Sequence, residues 1–482
     1  MDADKKPLAF TFVRCLREPH GLKRTVAWSV ASLLACLGVS HALATECDTN
    51  ICAGNPCTIT GMHDLSGGCV LDFGATDVTI AKGATLKEKH GGGFTIKAHH
   101  LTLAGTLRTK APPGDSAGSI DLILSGNFTT PKGSQGKIMA TGPASGYGGA
   151  IDITAAGAVD LQGGGGLIAQ PAGSIDITGT NLLVNEKLSA LSVGSINLRS
   201  TSGPVTVNKT IRIDSIAALV GCGATLNVQA QGGDLVLNGL ISQTNNCGSG
   251  FLDFSASGDI IVNGGIVAND KFQGDGGGYL TFRAGGNIEI NAPISANGSP
   301  YGYSSTSGGI VYLSADGDVT VTKNITANAI GSSRGGCIAI AVGTGYTVSV
   351  RGKLEAKAPS LGGVIRLGNV SRTIDYHVCG ASVLSPAIGA GTVLLAGTMD
   401  SSGTDVAGLN LVSYRTAFDA TGGRLISGVN SSATGNIVQC NCADVSPMDG
   451  MCDANVCLSD PIGLDPAKVT PAVQLTPIVL VP

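Results

Sequence analysis

The sequence predicts an all-β protein, a single-stranded right-handed parallel β-helix of about 11–12 coils whose ends are capped by disulfides. Three observations predict this fold. Glycine accounts for 72 of the 482 residues, whereas charged residues make up only 13% and aromatic residues 4%. A short alternation of apolar and polar residues recurs behind a glycine along the middle of the chain. No helical period is present there, and this combination is typical of short strands joined by tight turns.

The composition also excludes several other classes of protein. With 43% apolar residues the chain is too hydrophobic, and it is too weakly charged, for a disordered polar tail. Glycine does not recur at every third position, as a collagen helix requires. Outside the first 44 residues no run of Lys and Arg indicates binding to nucleic acid.

The repeat has the form glycine, small, apolar, polar, apolar, and its copies begin about 27 residues apart. Its first core positions are Ile120, Ile151, Ile175, Ile196, Leu226, Leu252, Leu280, Val311, Ile338 and Ile365. A second alternation and then a third, shorter one follow within each copy, so that each repeat predicts three strands. Stacking of the coils would place the core positions in one buried column. A β-propeller is disfavoured because its blades need about 40 residues and four strands.

One turn of the repeat carries asparagine in five copies, three residues before the apolar residue of the third strand. These residues are Asn185, Asn208, Asn238, Asn263 and Asn291. Asparagine suits tight turns, and its side-chain amide can bond to the next coil. We therefore expect a structural ladder, with ligand binding by the same side chains as the alternative.

Residues 1–44 have the pattern of a cleaved signal peptide. A basic segment precedes an apolar stretch that ends at Ala42-Leu43-Ala44, before a cleavage point at Thr45. A lipoprotein signal using Cys36 and a retained anchor are the alternatives. The leader carries six basic and three acidic residues, so that the remaining chain has 24 basic and 31 acidic residues. We expect a secreted or cell-surface protein without a nucleic-acid partner, and no later apolar run is long enough to span a bilayer.

Eight of the remaining twelve cysteines form two groups near the ends of the chain. The N-terminal group is Cys47, Cys52, Cys57 and Cys69, and the C-terminal group is Cys440, Cys442, Cys452 and Cys457. Disulfides within each group are favoured over zinc sites because neither group has paired CxxC spacing or neighbouring histidines. The predicted organisation is a cysteine-rich cap over 45–74, the β-helix over 75–395, a second cap over 396–457 and a proline-rich tail over 458–482.

A further disulfide is predicted between Cys222 and Cys247. The first lies four residues before the core position Leu226, and the second lies five before Leu252. Both therefore belong to the same corner of consecutive coils. Adjacent coils lie about 4.8 Å apart, within the separation that a disulfide accepts.

The repeats resemble two groups of parallel β-helical proteins over about residues 75–395. The Gly-polar-Ile-polar-Ile segments and the asparagine turn are similar to the pectin-lyase-like superfamily, which includes polysaccharide lyases and hydrolases. The glycine-rich repeats are equally similar to filamentous-haemagglutinin-type adhesins, as in GDLVLNGLISQ at 233 and GNIEINAPISANG at 286. The polygalacturonase motifs and the Asn-Pro-Asn-Gly secretion signature are absent. The resemblance therefore implies the fold and leaves the activity open.

The outward residue between the paired core positions is the first candidate for function. It is aspartate in three successive repeats, namely Asp121, Asp152 and Asp176. Stacked carboxylates can bind Ca²⁺, and alternate coils would hold two of them about 9.6 Å apart, near the separation of an inverting glycosidase pair. A solvated polar column is the simplest interpretation.

The corner before the first strand of each repeat is the second candidate, because its length varies most between copies. In solenoids such a corner often binds ligands, since its loops escape the stacking constraint. Its loops carry Lys271, Phe272, Tyr301, Tyr303 and Arg334. Aromatic and cationic groups together suit a glycan or another cell-surface protein.

No catalytic motif, metal-binding motif or cofactor motif is found. We therefore expect no cofactor and favour an exported, non-enzymatic surface, matrix or adhesion protein. A polysaccharide lyase or glycoside hydrolase of the pectin-lyase-like type is the alternative.

Overall fold

The structure is a computed structural model that describes residues 47, 51–52, 54–143, 147–191, 194–213, 224–245, 250–270, 276–299, 307–330, 334–343, 345–370, 388–428, 436–440, 469–470 and 473–475. Thr45–Pro482 forms one compact unit. All regular elements in the described residues are strands, which confirms the predicted all-β class. The predicted signal peptide lies outside the described residues. Within them, no helix has the length and apolar character needed to cross a membrane.

The strands repeat in sets of three, and each member of a set belongs to a different parallel sheet. Sheet I contains β1 (Cys57–Ile59), β4 (Val78–Ile80), β7 (Leu101–Leu103), β10 (Phe128–Thr130), β13 (Val159–Leu161), β16 (Leu182–Val184), β19 (Val205–Val207), β22 (Leu235–Leu237), β25 (Ile260–Val262), β28 (Ile288–Ile290), β31 (Val319–Val321), β34 (Thr347–Val350) and β38 (Ile388–Leu395).

Sheet II contains β2 (Met62–Leu65), β5 (Thr85–Glu88), β8 (Thr106–Lys110), β11 (Lys137–Thr141), β14 (Gly166–Gln170), β17 (Leu188–Ala190), β20 (Ile211–Arg212), β23 (Ile241–Asn245), β26 (Ile266–Asp270), β29 (Ile294–Ser295), β32 (Ile325–Thr326), β35 (Lys353–Glu355), β39 (Thr398–Gly403), β41 (Arg424–Gly428) and β43 (Val469–Thr470).

Sheet III contains β3 (Cys69–Asp72), β6 (Phe94–Ala98), β9 (Ile120–Leu124), β12 (Ile151–Ala155), β15 (Ser174–Gly179), β18 (Ser195–Ser200), β21 (Thr225–Ala230), β24 (Phe251–Ala256), β27 (Tyr279–Ala284), β30 (Ile310–Ala315), β33 (Cys337–Val342), β36 (Val364–Leu367), β40 (Leu409–Asp419), β42 (Asn436–Cys440) and β44 (Val473–Leu475). The short β37 (Asn369–Val370) pairs antiparallel with β38.

The register of sheet III confirms the predicted core column. Each first core residue pairs with the equivalent residue of the next coil, and the whole column is buried. The column runs through Ile120, Ile151, Ile175, Ile196, Leu226, Leu252, Leu280, Val311, Ile338 and Ile365. The first alternation of the sequence repeat thus forms sheet III, the second forms sheet I and the third forms sheet II. Together they make the predicted parallel β-solenoid.

The interior of the solenoid is filled by apolar side chains from all three sheets. Phe254 and Phe282 occupy equivalent positions of consecutive coils and are fully buried. Their ring centroids lie 4.8 Å apart with an interplanar angle of 18°. Stacking of like residues along the axis therefore continues into the second core position of sheet III.

The glycine that opens each repeat is explained by the close approach of successive coils. A Cβ atom on Gly309 would lie 2.3 Å from the carbonyl oxygen of Gly278 and 2.6 Å from that of Ala296. A Cβ atom on Gly173 would lie 2.5 Å from the carbonyl oxygen of Gly149. These neighbours are backbone atoms in a close-packed stack and cannot move aside. Glycine is therefore required where the chain turns from sheet II into sheet III.

The predicted asparagine ladder is present at the corner between sheets I and II. From Asn208 onward, each side-chain amide donates to the side-chain carbonyl oxygen of the asparagine one coil earlier, at 2.6–3.1 Å. The members are Asn185, Asn208, Asn238, Asn263 and Asn291. These bonds satisfy the amides within the ladder, as the structural interpretation expects.

A second ladder, which the sequence reasoning missed, lies at the corner between sheets III and I. The side-chain oxygens of Asp234, Asp259, Asn287 and Asp318 each accept the backbone N–H of the equivalent residue one coil later, at 2.6–2.9 Å. The signal was the Asp or Asn that follows glycine in GDIIV at 258, GNIEI at 286 and GDVTV at 317.

The parallel pairing extends beyond residues 75–395 at both ends. β1, β2 and β3 already form a coil that pairs with the next one. At the other end β40 bridges two sheets, because Leu409–Val412 pairs with β36 and the following residues pair with β38. The proposed role of the segments 45–74 and 396–457 as caps therefore involves strands of the solenoid itself.

The disulfides at the N-terminal end lie within the local cysteine group, as predicted. Cys47 bonds to Cys69 and Cys52 bonds to Cys57, with Cα atoms 5.2 and 5.6 Å apart. Cys337 is also disulfide-bonded, which the sequence reasoning did not predict. The other predicted disulfide positions are not described, apart from the backbone of Cys440; they are Cys222, Cys247, Cys442, Cys452 and Cys457.

Candidate functional site

Asp121, Asp152 and Asp176 form a column on the outer face of sheet III, which we call the acid column. They pair in register on three consecutive coils, and each is half-buried. Such neighbours lie about 4.8 Å apart. Because β9, β12 and β15 are stacked strands of one sheet, the three carboxyl groups have fixed positions relative to one another.

The central carboxyl group differs from its two neighbours. Asp121 accepts hydrogen bonds from the hydroxyls of Thr95 at 3.3 Å and Ser119 at 3.1 Å. Asp176 accepts one from the Asn197 amide. Burial, the negative charges of Asp121 and Asp176 and hydrogen bonding to those two side chains together raise the pKa of Asp152 to about 7. The central carboxyl group of the column therefore keeps its proton up to near neutral pH.

This arrangement predicts a stability that falls as the pH rises. The folded-state pKa of Asp152 lies above the unfolded value of about 3.9, so the native state binds more protons than the unfolded state between pH 4 and 7. The free energy of unfolding therefore falls as the pH rises through this range, and the loss is complete above pH 7. Asp152→Asn should leave the free energy of unfolding unchanged at pH 4. At pH 8.5 it should raise it by about 1–2 kcal/mol, a value discounted because the side chain is half exposed. Chemical denaturation at both pH values measures this difference.

Asp115→Asn is the control for that measurement, because Asp115 is exposed in a turn. It should have the same small effect at both pH values. An equal effect of Asp152→Asn at pH 4 and pH 8.5 would contradict the electrostatic origin of the raised pKa.

The same outward column changes character along the axis. Asn197, Asn227, Asp253 and Thr281 continue it. The Asp253 carboxylate accepts the Thr281 hydroxyl, and it pairs with Arg283 at 2.8 Å.

Towards the C-terminal end, the outward side chains of Tyr312, Ala339 and Ala341 are buried as a small separate cluster. The accessible part of this face therefore ends at about β27.

Two aromatic rings lie beside the accessible part of the column, one exposed and one half-buried, and we call them the aromatic pair. Phe251 and Tyr279 pair in register on consecutive coils, with ring centroids 5.5 Å apart and planes inclined by 52°. Phe251 is 49% exposed. Both rings open their strands, directly after the connections from sheet II. The sequence signal was the aromatic residue before the first core position in GFLDF at 250 and GYLTF at 278.

The connections from sheet II to sheet III form the variable corner, and their lengths follow the sequence prediction. Residues 296–309 and 327–336 make two of these connections, whereas 291–293 and 322–324 suffice between sheets I and II in the same coils. Arg334 is exposed and forms an isolated parallel bridge with Leu361. Tyr147 is also exposed at this corner. The other predicted binding residues, Lys271, Phe272, Tyr301 and Tyr303, lie outside the described residues.

Asp77, His99 and His100 come close enough together to be considered as a metal site. His99 Nδ1 lies 2.9 Å from an Asp77 carboxylate oxygen. His100 Nδ1, however, accepts the backbone N–H of Asn127 at 2.7 Å, so the proton of the neutral ring sits on Nε2. No lone pair of this ring then remains for a cation. Asn127 in turn accepts the N–H of Ala158 at 2.9 Å. His100 and Asn127 therefore cap backbone N–H groups at the corner between sheets III and I, in the same way as the second ladder.

No protein-family model, curated protein or solved structure matches this chain. The parallel β-solenoid rests on the strand pairing itself. The pectin-lyase-like and adhesin-like types remain predictions from the repeats.

The candidate residues thus divide into three groups by what the structure brings together. The acid column is assembled in the predicted register. The predicted loop residues at the variable corner are not brought together within the described part of the chain. The aromatic pair was not predicted, and it stands on rigid strands beside that corner.

Proposed function

We propose that this protein is an exported surface, matrix or adhesion protein that binds a glycan without cleaving it. The glycan would lie against the aromatic pair and reach the adjoining variable corner. The observation that carries the proposal is the exposed ring of Phe251 beside the half-buried ring of Tyr279, held in register on adjacent coils. Aromatic rings present a broad apolar surface at low entropic cost, which suits the apolar face of a sugar ring.

The surroundings of the aromatic pair supply the polar contacts that a glycan needs. The next outward position after Phe251 holds Asp253, whose carboxylate pairs with Arg283 at 2.8 Å. Thr281 beside it is buried and donates its hydroxyl to Asp253. A few well-placed polar groups beside an apolar surface fix the orientation of a ligand. Because the groups stand on strands, they need little ordering upon binding.

Export is part of the proposal and has separate support. The disulfides Cys47–Cys69 and Cys52–Cys57 are of a kind that persists in oxidising compartments. Mass spectrometry of the protein recovered from its native source should find a mature N-terminus at Thr45. An intact N-terminus in the cytosol would contradict export.

A glycan array followed by titration calorimetry tests the binding proposal. Phe251→Ala should lower the affinity for the glycan selected by the array by about tenfold or more, because one ring surface of a stacking contact is lost. Tyr346→Ala is the matched control and should leave the affinity unchanged, since Tyr346 is an exposed ring between β33 and β34, away from the variable corner. Unchanged affinity in Phe251→Ala, or no bound glycan on a broad array, would refute the proposal.

Polysaccharide cleavage is the second candidate function, and Asp152 is the observation that favours it. A carboxyl group with a pKa of about 7 between two carboxylates can donate a proton at neutral pH. Reducing-sugar and unsaturated-product assays should then detect turnover that Asp152→Asn abolishes. Turnover that survives this substitution would show that Asp152 takes no part in the reaction.

A further inference from the structure

Five basic side chains gather on the outer face of sheet II in the first coils, and we call them the basic patch. They are Lys87, Lys89, Arg108, Lys110 and Lys137. Lys87 pairs in register with Arg108, and Lys137 opens the strand of the next coil. Lys89 and Lys110 follow the paired residues Glu88 and Thr109. Inward neighbours in these strands are buried, so the basic side chains point outward.

The positive charge of the basic patch exceeds the negative charge beside it. Asp64 pairs with Lys87 at 3.1 Å and with Lys89 at 2.9 Å, and these contacts lower its pKa. Arg108, Lys110 and Lys137 form no ion pair within the described residues. The Nε atom of Arg108 is buried and lacks a hydrogen-bond partner there. Three cations of the patch are thus left without a counter-charge.

The acid column carries negative charge without a basic partner, on coils that overlap those of the basic patch. It occupies β9, β12 and β15 of sheet III, while the basic patch occupies β5, β8 and β11 of sheet II and the connections beside them. The acid column is contacted by the hydroxyls and the amide described above, and no basic side chain pairs with it in the described part of the chain. Two neighbouring faces of one stretch of the rod therefore carry uncompensated charges of opposite sign.

We propose that copies of this chain associate side by side, with the basic patch of one copy against the acid column of the next. The inference goes beyond the proposed function and does not depend on it. A second copy neutralises both faces, whereas a polyanion would neutralise the basic patch alone. The negative net charge of the chain also opposes the approach of a polyanion.

The proposed contact would be heterologous, which allows more than two copies to assemble. Each copy carries both faces, so the contact joins different surfaces and can repeat from copy to copy. The aromatic pair on β24 and β27 lies several coils away and stays accessible. If the acid column is an interface, it is not a catalytic site, so the second candidate function and this inference exclude each other.

Charge reversal followed by mixing tests the inference on the full mature chain. Sedimentation velocity at low salt should show association of the wild type that is lost at about 0.5 M salt, where surface charges are screened. The triple variant Arg108→Glu, Lys110→Glu, Lys137→Glu should weaken association by about tenfold or more, and so should Asp121→Lys, Asp152→Lys, Asp176→Lys. An equimolar mixture of the two variants should associate again, because each then offers the face that the other lacks.

Two further samples keep the experiment decisive. Lys209→Glu, Lys323→Glu, Arg351→Glu reverses three exposed cations outside the patch and should associate as the wild type does. If a reversed variant fails to fold, the milder Arg108→Gln, Lys110→Gln, Lys137→Gln takes its place and should also weaken association.

Two results would overturn the inference. The first is a wild type that stays monomeric at low salt, and the second is a mixture of reversed variants that does not associate. If a monomeric wild type binds dextran sulfate through the basic patch, the patch serves a polyanion instead of a second copy. Because glycan binding by the aromatic pair is measured separately, failure of the assembly leaves the proposed function untouched.

Discussion

Replacing Phe254 with alanine is expected to lower the free energy of unfolding by about 3–5 kcal/mol. The side chain is fully buried and stacks on Phe282 with ring centroids 4.8 Å apart. The cavity cannot close, because the backbone positions on both sides are held by the parallel pairing of β21, β24 and β27. Equilibrium unfolding in guanidinium chloride measures the loss.

Phe251 provides a control on the same strand. It is the same residue type three positions earlier, and it faces outward. Phe251→Ala should cost less than about 1 kcal/mol, since most of its lost contacts are replaced by contacts with water. Equal losses for the two substitutions would contradict the assignment of inward and outward faces in β24.

Replacing Glu186 with alanine is expected to cost about 2–4 kcal/mol, although this residue lies in a turn. Its side chain is only 2% exposed. It accepts hydrogen bonds from the Thr130 hydroxyl and from the backbone N–H of Gly166 at 2.9 Å. Burial raises the pKa of Glu186, and the bonds from Thr130, Gly166 and Gly163 oppose that rise. The alanine variant leaves buried donors without an acceptor.

Two controls separate hydrogen bonding from charge at this position. Glu186→Gln keeps one acceptor oxygen and removes the buried charge, so its loss should be smaller than that of Glu186→Ala. Glu289→Ala removes an exposed glutamate from sheet I and should change the free energy of unfolding by less than about 0.5 kcal/mol. A loss of similar size for Glu289→Ala would show that Glu186 has no special structural role.

The sequence by itself determined the architecture and the register of sheet III. The alternation of inward apolar and outward polar residues allows one face to be buried, and a shift by one residue would expose the whole core column. Gly309 and its equivalents mark the corner at which a side chain would collide with the preceding coil. Because these constraints repeat in every coil, the positions of Asp121, Asp152 and Asp176 in one column also followed from the repeat.

Only the tertiary structure decided which outward side chains form sites. Lys87 and Arg108 are 21 positions apart in different repeats, and their pairing follows from a register that begins before the clear repeats do. The burial of Tyr312 and Glu186 also has no signature in the sequence, because neither belongs to the repeated inward pattern. Stacking of coils constrains inward positions and turns strongly. It leaves outward side chains free to vary, so their charge, exposure and pKa depend on neighbours that only the folded chain brings together.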